Sequence, residues 1–188
     1  MEQKKLPIIC IIGPSGSGKT STIEALVSSL PQYNIGTVKF IQQPKMHIDL
    51  EGKDSQRYRE SGAKFSLCFA QGETVLIINK EKRSDLSDVS FFLDLEEKVL
   101  PKINLVLSEG PRDPPEKIPV ILTGNSKDDL KFYSSKLIVN SIIAISGKIG
   151  SSISTWNNIP AYDINKKESL NKLVELIKKC VNLPSLTK

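Results

Sequence analysis

The chain is expected to fold as an α/β protein, a mostly parallel twisted sheet flanked by helices with an inserted β-hairpin, and three stretches of sequence predict it. An apolar run, Ile8 to Ile12, leads into a glycine-rich turn and then into apolar residues at helical spacing. A second apolar run, Ile103 to Glu109, ends in an acidic residue followed at once by Gly110. Between them Phe65 to Ala70 and Thr74 to Asn79 are β-prone runs separated by Gln71, Gly72 and Glu73, the pattern of a hairpin. Strands that alternate with helices build parallel sheets.

The turn after the first strand reads Gly13, Pro14, Ser15, Gly16, Ser17, Gly18, Lys19, Thr20 and fits the phosphate-loop pattern G-x-x-x-x-G-K-[S/T] at every constrained position. Glycines let successive backbone N–H groups turn inward, and a helix starting near Lys19 aims its positive end at the same point. The natural occupant is a polyphosphate. Lys19 would reach the β and γ phosphates, and the Thr20 hydroxyl would ligate a bridging magnesium ion. Ser21 follows in the first turn of the helix and completes the expected nucleotide-contacting set Gly13 to Ser21. In that helix Ile23, Leu26, Val27 and Leu30 fall on one face, and Pro31 closes it.

Ile35 to Ile41 reads as a second strand that delivers Lys39 to the phosphate end of the sheet, where it joins the nucleotide-contacting residues. Gln42 to Glu51 is polar, aperiodic and broken by Pro44, hence a loop. Asp49 within it is a candidate magnesium ligand, and an exposed loop aspartate is the competing explanation. Gly52 to Gly62 has the caps of a short helix, with Lys53, Arg57 and Arg59 on its sides. After the hairpin, Glu81 to Ser87 is a charged connection, and Val89, Phe92, Leu93, Glu96, Val99 and Leu100 approximate a helical stripe ending at Pro101.

Glu109 stands where phosphate-loop enzymes place an acid that orders the metal shell or the attacking group. It is therefore a candidate catalytic residue with Lys19 and a candidate metal neighbour with Thr20 and Asp49. Pro111 to Pro119 is too proline-rich for regular structure and reads as a stiff loop carrying Arg112 and Lys117. Val120 to Thr123 is a short strand, and Gly124 to Asp129 a polar turn. Its Asn125, Ser126, Lys127 and Asp128 resemble a guanine-reading Asn-Lys-x-Asp motif with an extra residue that breaks the geometry. Ser141 to Ser146, followed by Gly147 and Lys148, is the better base-side candidate, because nucleotides lie across strand C-termini in open sheets. Ile159 to Tyr162 reads as a last short strand. Asn165 and Glu168 have capping-box spacing ahead of a helix with Leu170, Leu173, Val174, Ile177 and Val181 on one face.

Composition bounds these readings. At 188 residues the chain is most simply one domain, 1–188, with the hairpin at 65–79 as an insertion. The apolar fraction of 39% and charged fraction of 25% are those of a globular protein, with no run of membrane-span length and no secretion signal in the first residues. A cytoplasmic location is expected. Cys10, Cys68 and Cys180 lie far apart in apolar surroundings, as buried thiols would, and with His47 the single histidine a soft-metal site is disfavoured. The net charge of +5 suits acidic partners, yet it is spread along helix faces, so nucleic acid is not the expected partner.

Taken together, the segments resemble the molybdopterin-guanine dinucleotide biosynthesis protein B family, MobB. The likeness rests on Gly13 to Thr20, Gly-Thr-Val-Lys at 36–39, Asp49 with Gly-Lys-Asp-Ser at 52–55, and Ser-Gly-Ala at 61–63. It continues in Leu-Val-Leu-Ser-Glu-Gly at 105–110, Lys-Ile-Pro-Val at 117–120 and Ile-Pro-Ala-Tyr-Asp at 159–163. Where members carry a histidine-rich stretch, Lys39 is followed here by Phe40, Ile41, Gln42 and Gln43. The resemblance implies a P-loop NTPase that binds GTP with magnesium, forms a homodimer through β-structure, and assists attachment of GMP to molybdopterin. It implies a molybdopterin guanylyltransferase as partner and molybdopterin as a further ligand. Weak GTP hydrolysis is the expected activity. Two alternatives stand beside it: a small-molecule kinase on the same scaffold, and a nucleotide-gated binding module with no significant turnover.

Overall fold

The computed structural model describes residues 7–40, 61, 65–70, 73–78, 103–111, 113–137 and 141–184. The expected loop at 42–51, with Asp49, the helix at 52–62 apart from Ser61, the stripe at 89–100 and Arg112 lie outside the described residues. The chain divides into two compact units, Met1–Phe40 with Asp85–Lys188, and Ile41–Ser84.

The first unit is built on a five-stranded parallel sheet. Its strands are β1 (Ile8–Ile12), β2 (Ile35–Lys39), β5 (Leu105–Glu109), β6 (Val120–Thr123) and β7 (Ile142–Ser146), in the spatial order β2-β5-β1-β6-β7. β1 is central, and its run of four isoleucines and a cysteine is what a strand buried on both faces requires. The two-residue period of the strand divides that run between two cores. Ile9 and Ile11 join Leu26, Leu105, Leu107, Leu173 and Ile177 on one face, while Cys10 and Ile12 join Val120, Leu122, Leu130 and Ile149 on the other.

Helices cover both faces. On the first lie α1 (Lys19–Ser29) and, after β7, the long helix α4 (Lys167–Cys180). On the second lie α2 (Lys127–Ser134) and the single turn α3 (Gly147–Gly150). The parallel sheet flanked by helices is thus the fold that the sequence predicts.

Several boundaries differ from expectation for identifiable reasons. In α1 the fully buried row is Thr22, Leu26 and Leu30, while Val27 is 38% exposed. At about 100° per residue, positions 22, 26 and 30 form one ridge and place Val27 some way round from its centre. The polar stretch at 124–129 is not a turn alone: Ser126 caps α2, its Oγ accepting from the Asp129 N–H at 3.2 Å. Asp129 Oδ2 in return accepts from the Asn125 N–H at 2.8 Å. The expected capping box at Asn165 and Glu168 does not form. The α4 N-cap is Lys166, without a side-chain cap, and Asp163 organises the entry by accepting from the Asn165 N–H at 3.0 Å.

The strand expected at 159–162 is shorter and paired. β8 (Thr155–Trp156) and β9 (Ile159–Pro160) form a small antiparallel hairpin, and Asn157 and Asn158 between them both adopt positive φ. That is the backbone a tight two-residue hairpin turn demands and asparagine tolerates. Ala161 then bridges in parallel to Ile145.

In the second unit β3 (Phe65–Ala70) and β4 (Glu73–Ile78) pair antiparallel, from Phe65 opposite Ile78 to Ala70 opposite Glu73. Glu73 therefore belongs to the strand, and two residues, Gln71 and Gly72, separate the arms. Val75 and Leu76 are each 42% exposed. Adjacent strand residues point to opposite faces, so apolar surface is open on both sides of β4.

Candidate phosphate-binding site

The site gathers at the C-terminal ends of the parallel strands. The loop from Gly13 leaves β1 and enters α1 with Gly18 as N-cap, in the left-handed region at φ 92°. No side chain caps α1, and its first turn carries no acidic residue. The start of α1 therefore keeps the positive end of its dipole uncompensated by a cap or a first-turn acid. Ser15, Gly16, Thr20 and Ser21 are exposed along the rim, whereas Ser17 is fully buried beneath it.

Lys19 folds back over the loop. Its Nζ donates to the Gly13 carbonyl at 3.1 Å and to the Pro14 carbonyl at 2.7 Å. An ammonium held by two neutral carbonyls is positioned over the cradle and has a stronger partner available in any phosphate oxygen. Glu109, at the end of β5, sits across from it. One carboxylate oxygen, Oε2, accepts from the Thr20 hydroxyl at 3.2 Å and lies 3.5 Å from Lys39 Nζ. Register explains the meeting, because Lys39 and Glu109 are directly paired on adjacent strands and Ile11 pairs Glu109 on the other side. Thr20, Lys39 and Glu109, predicted separately, thus converge on one point.

The donor set suits a hard cation. A hydroxyl and a carboxylate oxygen within hydrogen-bond distance are the oxygen ligands magnesium prefers. The described residues contain no cluster of three or more His, Cys, Asp or Glu. Cys10 is fully buried in β1, and burial pushes its thiol up to about 12, so it is inert beneath the loop. Cys180 departs from the expected burial: it is exposed, with its thiol raised from the ordinary value by partial burial.

Behind the loop stands a brace, in which Gly147 and Lys148, expected on the base side, pack against the loop itself. Thr123, at the end of β6, is fully buried and its Oγ1 lies 2.6 Å from Ser17 Oγ. Gly13 packs so closely on it that an added Cβ would fall on the Thr123 carbonyl and hydroxyl oxygens. After β7, Gly147 takes φ 69°, where a Cβ would fall on the Ser17 carbonyl. The same carbonyl accepts from the Lys148 N–H at 2.9 Å. A second pair lies deeper, with Thr22 Oγ1 donating to the Gly18 carbonyl at 2.8 Å and lying 3.4 Å from Ser146 Oγ. The sequence signal was a hydroxyl residue closing each of two fully apolar strands, Thr123 and Ser146, followed in both by glycine. Such a residue ends a strand without paying for an unpaired polar group only if a partner waits there.

Comparison with known proteins fits this architecture. A family model described as molybdopterin guanine dinucleotide synthesis protein B matches residues 8–146. A molybdopterin-guanine dinucleotide biosynthesis adapter protein of Haemophilus influenzae is 26% identical over 152 residues, 73% of this chain and 84% of that protein. The fold is similar to the crystal structure of Bacillus subtilis MobB, with a TM-score of 0.71 and 21% identity over 91% of this chain and 98% of that one. It is also similar to a MobB homologue from Bacillus stearothermophilus, with a TM-score of 0.63 and 20% identity over 92% and 98% of the two chains. The family match runs from the first residue of β1 to the last of β7, well over half of the sequence and through every strand of the parallel sheet, so the chain belongs to the MobB family.

Proposed function

We propose that the protein is a GTP-binding accessory protein of molybdenum cofactor biosynthesis that assists the attachment of GMP to molybdopterin and hydrolyses GTP slowly. The observation that carries this reading is the convergence of an uncapped helix start, Lys19 folded back onto the Gly13 and Pro14 carbonyls, and Glu109 joined to Thr20 and Lys39. In it the amides of Gly13 to Ser21 and Lys19 hold the phosphates, with Lys39 beside them. Thr20 is the direct magnesium ligand, Glu109 its neighbour, and Asp49 the third candidate. Bound magnesium would neutralise charge on the phosphate oxygens. Glu109 is the acid that would orient an attacking water, with slow turnover as the expected activity.

The partner in this reading is a molybdopterin guanylyltransferase, with molybdopterin as a second ligand, in keeping with the adapter role named for the Haemophilus relative. Self-association into a homodimer through the β3–β4 hairpin is supported by Val75 and Leu76, half-exposed on both of its faces. A cytoplasmic location completes the proposal, and no helix among the described residues is long and apolar enough to cross a membrane.

Titration with GTP and ATP, with and without magnesium, tests it directly. Magnesium-dependent GTP binding that Lys19→Ala weakens by about a hundredfold is the expected result, since charge-assisted bonds to phosphate contribute about 1.5–3 kcal/mol each. Unchanged binding in that variant would remove the phosphate-loop assignment. Tighter binding of ATP than GTP would remove the guanine assignment, and capture of the guanylyltransferase in no nucleotide state would remove the adapter role.

A further inference from the structure

The hydroxyls buried behind the phosphate loop are not used by the nucleotide chemistry just described. Ser17 and Thr123 are both fully buried and come from segments 106 residues apart. Their oxygens are 2.6 Å apart. Ser17 Oγ also lies 2.8 Å from the Pro14 carbonyl, and Thr123 Oγ1 lies 3.1 Å from the Ile12 carbonyl. Each hydroxyl has one proton to donate, so two protons serve three contacts. A separation of 2.6 Å between two oxygens needs a proton between them. Two patterns remain. Either Thr123 donates to Ser17 and Ser17 to Pro14, or Ser17 donates to Thr123 and Thr123 to Ile12.

The two patterns differ in what holds the Pro14 carbonyl. That oxygen accepts Lys19 Nζ at 2.7 Å and, at the long distance of 3.4 Å, the Ser17 N–H. When the Lys19 ammonium turns to a phosphate, the carbonyl loses its short charged partner. Only the pattern in which Thr123 donates to Ser17 then supplies a strong replacement, through the Ser17 hydroxyl. Gly13, pressed against Thr123, and the Ser17 carbonyl, bonded to the Lys148 N–H, keep the loop from moving off to satisfy itself elsewhere.

We infer that Thr123 is a positioning residue for the phosphate loop, whose hydroxyl switches its donation to Ser17 and so secures the Pro14 carbonyl as Lys19 leaves it for a phosphate. The inference rests on the nucleotide-binding reading of this site and adds to it a residue outside the loop motif. Its role is to lower the cost of moving Lys19, not to touch the ligand.

The test compares Thr123→Val, Thr123→Ser and Ser17→Ala with the parent protein, using a fluorescent GTP analogue with magnesium and amide hydrogen exchange of the loop in the nucleotide-free protein. Thr123→Val, isosteric but without the hydroxyl, should weaken nucleotide binding about tenfold, the loss of about one hydrogen bond. Thr123→Ser, which keeps the hydroxyl, should stay within about threefold of the parent, about half the free-energy change of the valine variant. A hydroxyl needed only for packing would move the melting temperature without this split in affinity. Parent-like binding by Thr123→Val, or equal loss in Thr123→Ser, overturns the inference. If Thr123→Val does not fold, Ser17→Ala removes the same relay while leaving Thr123 to bond Ile12, and parent-like binding there overturns it equally. If the parent itself binds no nucleotide, the functional reading fails on its own. The inference is then judged by hydrogen exchange at Gly16 to Lys19. Faster exchange in Thr123→Val, restored in Thr123→Ser, supports the brace, and unchanged exchange overturns it.

Discussion

Two helices that follow adjacent strands of the sheet, α1 after β1 and α2 after β6, begin in opposite ways. α2 starts with a complete cap, Ser126 accepting from the Asp129 N–H, Asp129 returning a bond to Asn125, and two acids, Asp128 and Asp129, in the first turn. α1 starts at Gly18 with no side-chain cap and no acid in its first turn. A cap and first-turn acids are each worth about 1 kcal/mol to a helix, so α1 forgoes stability that α2 takes. The difference teaches what α1 is for. In the proposed function the positive end of α1 is kept for the phosphates of a nucleotide, and Lys19 in its first turn is of the sign that adds to that end. α2, satisfied within the chain, is scaffold.

The contrast can be broken at the brace that allows α1 to stay open. Gly147→Ala puts a methyl on the Ser17 carbonyl in a left-handed backbone position. The conformation alone costs about 1–2 kcal/mol, and the collision should bring the total to about 3 kcal/mol, within the range of strained core substitutions. For a domain of this size that is a melting temperature lower by roughly 6–12 °C, with nucleotide binding lost as the loop shifts. Thermal unfolding with and without GTP measures both, and an unshifted melting temperature would contradict the close packing of Gly147 on the loop.

A gentler change should convert α1 toward α2. Ser21 is exposed in the first turn of α1, and Ser21→Asp supplies the acid that turn lacks. The nucleotide-free protein should gain about 0.3–1 kcal/mol from the helix dipole, while affinity for GTP falls about tenfold from repulsion of the phosphates. The opposite signs are the point of the experiment. A variant that is stabilised and still binds GTP like the parent would mean that the α1 start is not the phosphate site.

What the sequence showed and what it hid follow the same division. Gly13 to Thr20, the strand beneath it and Glu109 were legible because their chemistry is local: spacing, apolar runs and a terminal acid can be read within a few residues. The meeting of Lys39 with Glu109 was legible only as two separate candidates, since it depends on β2 pairing with β5 across the sheet. The bracing roles of Thr123, Gly147 and the Thr22–Ser146 pair were hidden for the same reason, although Gly147 and Ser146 stood out as a base-side candidate, because their partners lie more than a hundred residues away along the chain. α2 was missed for a different one. Gly-Asn-Ser-Lys-Asp-Asp at 124–129 is turn-like in every residue, and Ser126 with Asp129 uses aspartate where glutamate usually completes a capping box. Its core contribution is the single buried Leu130, too little to show as a period. Two asparagines at positive φ likewise hid the β8–β9 hairpin behind an ordinary polar stretch.

The smallest effect is the one that tests the comparison from the side of α2. Ser126→Ala removes the cap oxygen that receives the Asp129 N–H and leaves the exposed helix end to water. Such substitutions cost about 0.5–2 kcal/mol, a melting temperature lower by roughly 2–4 °C for each kcal/mol in a domain of this size. Nucleotide affinity should stay within about twofold, less than 0.5 kcal/mol, because the α2 start is closed to ligands by the chain's own side chains. Adding GTP should therefore raise the melting temperature of Ser126→Ala by as much as it raises that of the parent. If the GTP-induced rise shrinks instead, the 124–129 segment contributes to the nucleotide site, and its likeness to a guanine-reading motif has functional content that the capping geometry conceals.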